Sequence, residues 1–221
     1  MRKDINIENV KKLFSKRSSR DIFYEAFNEI LPRKDSYGTF IVAIVCSIIP
    51  AIIISISSGT VNLFVKAIET LNGTILASFG IIFTGYAFFQ ALLSDDLLLR
   101  LLDSTQKNSA KEGESDVEKS KLQESNEYFA NIMMLDVFAI FINAFMIITI
   151  GSLGSDFSLP IKTSLNNIFA FIGIYIYLSI MFCIILEMKS FIFNTFQLFN
   201  AHAGSKAVEL LNGDNTEEDE P

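Results

Sequence analysis

Four long apolar blocks divide the chain, and they restrict its fold more than any other feature of the sequence. The first block, TFIVAIVCSIIPAIIISIS, has no charged residue, and the other three are nearly as apolar. A helix needs roughly 20 apolar residues to cross about 30 Å of hydrocarbon, so each block is long enough to span a bilayer. Too little amphipathic chain remains to cover four such helices in a soluble core. The sequence therefore predicts an all-α integral membrane protein with a four-transmembrane-helix bundle.

The predicted spans alternate with polar segments. The spans cover 39–57, 74–94, 128–150 and 166–189. Two short external loops are expected at 58–73 and 151–165, and a cytoplasmic loop with helical stalks at 95–127. Beyond the last span we expect a cytoplasmic helix, 190–212, and a disordered acidic tail, 213–221. Pro50 removes a backbone donor in the middle of the first span and is expected to kink it.

The basic residues predict the direction of the spans. Sixteen of the 18 Lys and Arg residues lie in 1–38, in 95–127 or from Lys189 onward, and only Lys66 and Lys162 lie in the other two connections. Loops rich in Lys and Arg stay in the cytoplasm. Both termini are therefore predicted to be cytoplasmic, in an inner or plasma membrane.

The N-terminal segment, 1–38, contains an amphipathic helix. Ile22, Ala26 and Ile30 share one face, and Ser18 with Asp21 can cap its start. Basic flanks favour a helix lying on the inner leaflet, where anionic lipid attracts it. The alternative is that its apolar face packs on the protein's own helices, and the sequence favours neither.

One face of the second predicted span consists of small residues. They follow one another at spacings of three and four: Gly73, Ala77, Gly80, Thr84, Ala87, Ala91 and Ser94. Lipid tails give helices no hydrophobic reason to associate, so spans pack closely where small residues let backbones approach. A period near 3.5 favours a left-handed contact. The row is predicted to pack on the chain's own spans, which we slightly favour, or on another subunit.

Five polar or charged side chains are predicted to lie in the inner part of the membrane. They are Gln90, Asp136, Asn143, Glu187 and Lys189. Polar groups are costly in hydrocarbon, so each needs a reason. We expect a polar layer in which Asp136 pairs with Lys189 or hydrogen-bonds Gln90. The favoured role is to join helices, and the alternative is a gate or an ion-sensing group.

The sequence carries no catalytic, cofactor-binding or metal-binding motif. His202 is the only histidine, and Cys46 and Cys183 lie in different spans. A P-loop, a dinucleotide-binding turn, a nucleophile elbow and a CxxC pair are all missing from the sequence. Intramembrane chemistry usually needs more ionisable groups than these spans contain. We therefore expect no enzymatic activity, no cofactor and no metal.

These features favour a non-enzymatic, self-associating membrane component that anchors, senses for or is triggered by a cytoplasmic protein. Small membrane subunits of bacterial defence and stress systems have a similar layout, which is an analogy of architecture alone. The alternative is a channel or pore-forming effector, in which Asp136, Asn143 or Gln90 lines the path of an oligomer. A small transporter or membrane enzyme is the least supported. The net charge of −7 argues against nucleic acid as a partner.

Overall fold

A computed structural model describes residues 18–30, 37–106, 119–155 and 157–217. These residues form seven helices: α1 (Ser19–Ile30), α2 (Tyr37–Ile56), α3 (Thr60–Leu92), α4 (Asp95–Asp103), α5 (Lys121–Gly151), α6 (Thr163–Leu186) and α7 (Met188–Glu217). Two short strands, β1 (Thr105–Gln106) and β2 (Lys119–Ser120), pair antiparallel between α4 and α5.

Four helices are long and apolar enough to cross a membrane, as the sequence predicts. They are α2, α3, α5 and the helical stretch Thr163–Val208, which comprises α6 and most of α7. Large apolar side chains face outward on these helices; Ile49, Phe141 and Ile148 are 67 %, 67 % and 70 % exposed. Such a surface is unfavourable in water and favourable against lipid. The all-helical fold with four helices able to span a membrane is therefore confirmed, and it supports the multi-pass membrane class.

The spanning helices pack as two antiparallel pairs, α2 with α6 and α3 with α5, which make the most extensive contacts in the described chain. A hydrogen bond of 2.7 Å between the hydroxyls of Ser47 and Ser179 joins α2 to α6. We call the end with the 57–59 turn and the 152–162 connection the upper end. The end with α4, the strands and α7 is the lower end.

Two clusters of buried side chains hold the bundle together. The upper cluster joins all four spanning helices through residues such as Ala51, Ile68, Ala139 and Met181. The lower cluster joins α3, α4, α5 and α7 around Phe129, which is fully buried. At the lower cluster the rings of Phe89 and Phe129 stack at 5.8 Å. The bundle thus continues below the end of α6, where α4 and α7 pack against α3 and α5.

Two expected boundaries are wrong. The predicted loop at 58–73 is helical from Thr60, because Val61, Phe64 and Ile68 follow helical spacing and are buried in the bundle. At the other end, α7 continues through Asn212–Gly213 to Glu217 instead of ending there. A helix tolerates one glycine at a cost of about 1 kcal/mol. Residues 218–221 of the predicted acidic tail lie outside the described residues.

Helix α1 packs on α5. Its predicted cap forms: the Asp21 amide donates to Ser18 Oγ at 3.2 Å, and the Ser18 amide donates to Asp21 Oδ2 at 3.1 Å. Phe23 meets Phe138 of α5 with ring centroids 5.1 Å apart, and Ala26 is fully buried. Of the two alternatives for this helix, packing on the protein's own helices is the one that the structure contains. In the first span, α2 continues through Pro50.

Candidate intramembrane sites

The small-residue row of α3 lies on the outside of the folded chain. All seven members are exposed: Gly73, Ala77, Gly80, Thr84, Ala87, Ala91 and Ser94. A Cβ atom built on Gly73 or Gly80 would meet no described atom within 4 Å beyond the local helix. The row therefore does not pack on the chain's own spans, which was the slightly favoured prediction.

The opposite face of α3 is buried and consists mainly of large side chains. Its buried residues are Val61, Phe64, Ile68, Leu71, Ile75, Ser78, Ile82 and Phe89. In a soluble helix, large apolar residues inside and small or polar residues outside would be ordinary. In a bilayer the same arrangement leaves a shallow face that lipid chains fill poorly and that another helix can approach closely. The fold thus presents this face to the surroundings of the chain.

The exposed face extends above the row that the sequence analysis identified. Asn62, Lys66 and Glu69 precede Gly73 at spacings of four, three and four, and all three are exposed. We call the ten residues from Asn62 to Ser94 at these spacings the α3 face. The upper part lies in 58–73, which was expected to be a loop. The signal that could have indicated a longer helix is the spacing of three and four residues between Val61, Phe64, Ile68, Leu71 and Ile75.

A polar cluster joins three helices in the interior. Tyr177 of α6 donates its hydroxyl to Asn143 Oδ1 at 2.7 Å, and Asn143 Nδ2 donates to Asn72 Oδ1 of α3 at 3.5 Å. Phe64 packs edge-on against the Tyr177 ring at 5.3 Å. Asn143 is fully buried and Tyr177 nearly so. We call Asn72, Asn143 and Tyr177 the polar cluster; its bonds connect α3, α5 and α6.

Asp136 lies seven residues from Asn143 on the same face of α5, and only 1 % of its surface is exposed. Its Oδ2 atom finds no hydrogen-bond partner among the described residues. Leu135 and Ala139 beside it are also buried, so its surroundings on α5 are apolar. A carboxyl group in such a position is costly, and in membrane proteins it marks a functional site more often than a structural one.

The predicted polar layer does not form as one unit. Gln90 donates to Asn126 Oδ1 at 3.1 Å near the lower end, instead of bonding Asp136. Lys189 is exposed, and Glu187 follows the last residue of α6. Asn143 belongs to the polar cluster, one level above Asp136. The five side chains therefore lie at several depths. The Asn72–Asn143 bond and the Gln90–Asn126 bond, for example, meet α5 at two points about 25 Å apart along its axis.

The lower end contains an open cleft of about 670 Å³ between the start of α5 and α7. Lys121, Glu124 and Ser125 line one side, and Asn194 and Gln197 line the other. Its volume is in the range of small-ligand sites, and its lining mixes charged and amide groups with apolar ones. Among the described residues, no three His, Cys, Asp or Glu side chains are grouped as metal ligands would be.

Comparison with known proteins adds no relative. No family model, no curated protein and no solved structure matches the chain.

Proposed function

We propose that this protein is a non-enzymatic membrane component that self-associates through the α3 face and anchors, senses for or is triggered by a cytoplasmic protein. One observation carries the proposal: the small residues of the row are all exposed, on the side of α3 opposite its buried residues, most of which are large. Small residues drive the close approach of helices in a bilayer. In a second copy the α3 face is equally shallow, so two such faces can pack against each other closely.

The lower end supports the cytoplasmic part of this proposal. With the orientation that the basic residues predict, α4, α7 and the cleft between α5 and α7 lie in the cytoplasm. Within the described residues, the upper end consists of the 57–59 turn and the connection between α5 and α6, which are too short for a partner domain. The lower end therefore offers the larger surface for a protein partner, and anionic lipid of the inner leaflet lies beside it.

The test of self-association is the mass of the protein extracted in mild detergent, compared with a Gly80→Leu variant. Gly80 is exposed and surrounded by open space in the folded chain, so a larger side chain there disturbs no described internal contact. We expect a discrete oligomer for the unaltered protein and its loss in the variant. Ala87→Leu, near the lower end of the same face, should have the same effect.

Thr74→Leu is the matched control. Thr74 is small, exposed and on the same helix, but it points about 100° away from Gly73, off the α3 face. This variant should keep the oligomer. A monomeric unaltered protein, or equal dissociation of the control, would contradict the proposal. The partner is tested by crosslinking in native cells, where recovery of no cytoplasmic protein would count against that part.

A channel remains the second candidate, for a different reason than the sequence suggested. Asp136 and Asn143 lie inside the chain and cannot line a path between copies. The charged residues Lys66 and Glu69, in contrast, belong to the α3 face. An oligomer closed around this face would bring charge to its axis, as in ion-conducting pores. Liposomes that stay impermeable with the reconstituted oligomer would remove this candidate.

A further inference from the structure

We infer that Lys66 and Glu69 lie within the bilayer and form ion pairs between neighbouring copies of this chain. The inference rests on the proposed self-association and specifies what happens at the upper part of the α3 face. The contacts between helices determine how deep Lys66 and Glu69 lie in the membrane.

The polar cluster fixes this depth. Ser47 is at the middle of α2, the spanning helix with the clearest ends, and bonds to Ser179 of α6. Two residues along α6, Tyr177 bonds to Asn143, which reaches Asn72 of α3. Asn72 therefore lies near the middle of the membrane. The lower part of α3 agrees, because Gly85 faces Phe191, which lies beyond the last residue of α6.

Lys66 and Glu69 are close to this level. Counted along the helix, Glu69 lies about 4.5 Å and Lys66 about 9 Å above Asn72. Half of the hydrocarbon is about 15 Å thick, so both positions fall inside it. The sequence alone predicts an external loop for both residues. The helix that begins at Thr60, directly after the 57–59 turn, moves them into the membrane.

Both charges face away from the chain. Lys66 and Glu69 are exposed, and no residue in the described ranges forms an ion pair with either. At a similar depth, α2, α5 and α6 expose large apolar side chains such as Ile49, Phe141 and Ile176. The α3 face is thus the exception on an otherwise lipid-like surface. Two charges facing hydrocarbon are costly and are almost always paired or turned toward a bundle interior.

A second copy supplies the pairing. Copies inserted in the same direction hold their α3 helices parallel, so Lys66 of one copy is level with the partner's Lys66 and one turn above the partner's Glu69. Side chains of a helix lean toward its N-terminus, which is the upper end of α3. Both side chains share this lean, and the flexible four-carbon stem of Lys66 can span the offset of one turn, so the ammonium of one copy can reach the Glu69 carboxylate of the next. Pairing within one helix is the weaker option, because Lys three residues before Glu is the poorer orientation.

Charge exchange tests this pairing. Lys66→Glu and Glu69→Lys each give the α3 face two like charges per copy, and we expect each to lower the association constant in membranes at least tenfold. The double variant Lys66→Glu/Glu69→Lys keeps the net charge and restores opposite signs, so it should recover most of the association. Lys162→Glu changes the net charge as Lys66→Glu does, but lies outside the spans and should keep the oligomer.

A second measurement covers variants that insert poorly. In a background with Cys46→Ser and Cys183→Ala, copies with Lys66→Cys are mixed with copies carrying Glu69→Cys and oxidised in the membrane. We expect a crosslinked heterodimer, and none when Thr74→Cys replaces either partner, because Thr74 is exposed but points about 140° away from Glu69 and about 80° away from Lys66 around α3. One result refutes the ion pair and keeps self-association: Gly80→Leu dissociates the oligomer, the charge-exchange variants stay associated, and no Lys66→Cys/Glu69→Cys crosslink forms. An unaltered protein that is monomeric and does not crosslink refutes both.

Discussion

Asn143 and Asp136 lie on one face of α5, two turns apart, and the fold treats them differently. Both are buried, at 0 % and 1 % exposure. Asn143 accepts from Tyr177 and donates to Asn72, whereas Asp136 Oδ2 has no partner in the described part of the chain. The two residues share the same helix, the same face and nearly the same burial. They differ in their hydrogen bonds: the neighbouring helices supply partners for Asn143 but none for Asp136 Oδ2 in the described residues.

This difference separates a structural group from a candidate functional group. A buried polar side chain with all its partners joins helices and favours one arrangement of them. A buried carboxyl without partners contributes no bond to the fold and makes it less stable. An ionisable group buried in a membrane bundle is a functional-site hypothesis for this reason. The joining role therefore fits Asn143 best, and the gate or sensor role, which the sequence favoured less, stays a prediction for Asp136.

The largest effect is expected for Asn143→Leu. This change removes both bonds of the polar cluster and leaves the Tyr177 hydroxyl buried without its acceptor. We expect the free energy of unfolding to fall by about 2 kcal/mol, near the upper range for polar contacts in membrane bundles. The measurement is denaturant unfolding in detergent followed by circular dichroism. Phe141→Leu, which changes a lipid-exposed side chain on the same helix, should leave the stability nearly unchanged.

The sequence predicted the four spans well because their signal is local. Twenty apolar residues in a row identify a spanning helix without knowledge of its neighbours. It could not predict the register between helices, which depends on contacts such as Ser47 with Ser179 and Asn72 with Asn143. The upper turns of α3 were missed for a local reason, because Lys66 and Glu69 lower the hydropathy of that stretch.

The same limit explains the candidate sites. The spacing of the small residues predicted one face of α3, but spacing cannot say whether that face points into the chain or out of it. Depth along the chain placed Gln90 near Asp136, yet Gln90 bonds Asn126 on the neighbouring helix. Tyr177 was not identified as a partner of Asn143, because a tyrosine in an apolar span carries no signal of its own. Pairing between distant segments is a property of the packed bundle.

An intermediate effect is expected for Tyr177→Phe. The ring keeps its contact with Phe64, so the change removes only the hydroxyl that donates to Asn143. We expect a loss of about 1 kcal/mol in the free energy of unfolding. Combined with Asn143→Leu, this change should recover part of the loss, because it removes the hydroxyl that Asn143→Leu leaves buried without its acceptor. Additive losses in the double variant would show that the polar cluster does not act as a unit.

The steric counterpart is Gly85→Ala, at the junction of α3 and α7. A Cβ atom there would lie 2.7 Å from the tip of the buried Phe191 ring, so the ring or the helix must shift. We expect a loss of about 1 kcal/mol, at the lower end of overpacking costs. Gly80→Ala has open space and should cost nothing in a monomer. Equal effects of the two changes would contradict the assignment of an inner and an outer side to α3.

The smallest change in stability, and the most informative one, is expected for Asp136→Asn. The amide has nearly the same shape as the carboxyl, and the described structure offers Oδ2 no bond that could be lost. We expect the free energy of unfolding to change by about 1 kcal/mol or less, in contrast to Asn143→Leu. If Asp136 serves function, the same variant should lose partner crosslinking or conductance while keeping fold and oligomer mass. A variant that unfolds like Asn143→Leu would instead show that Asp136 holds helices together, and the contrast between the two sites on α5 would disappear.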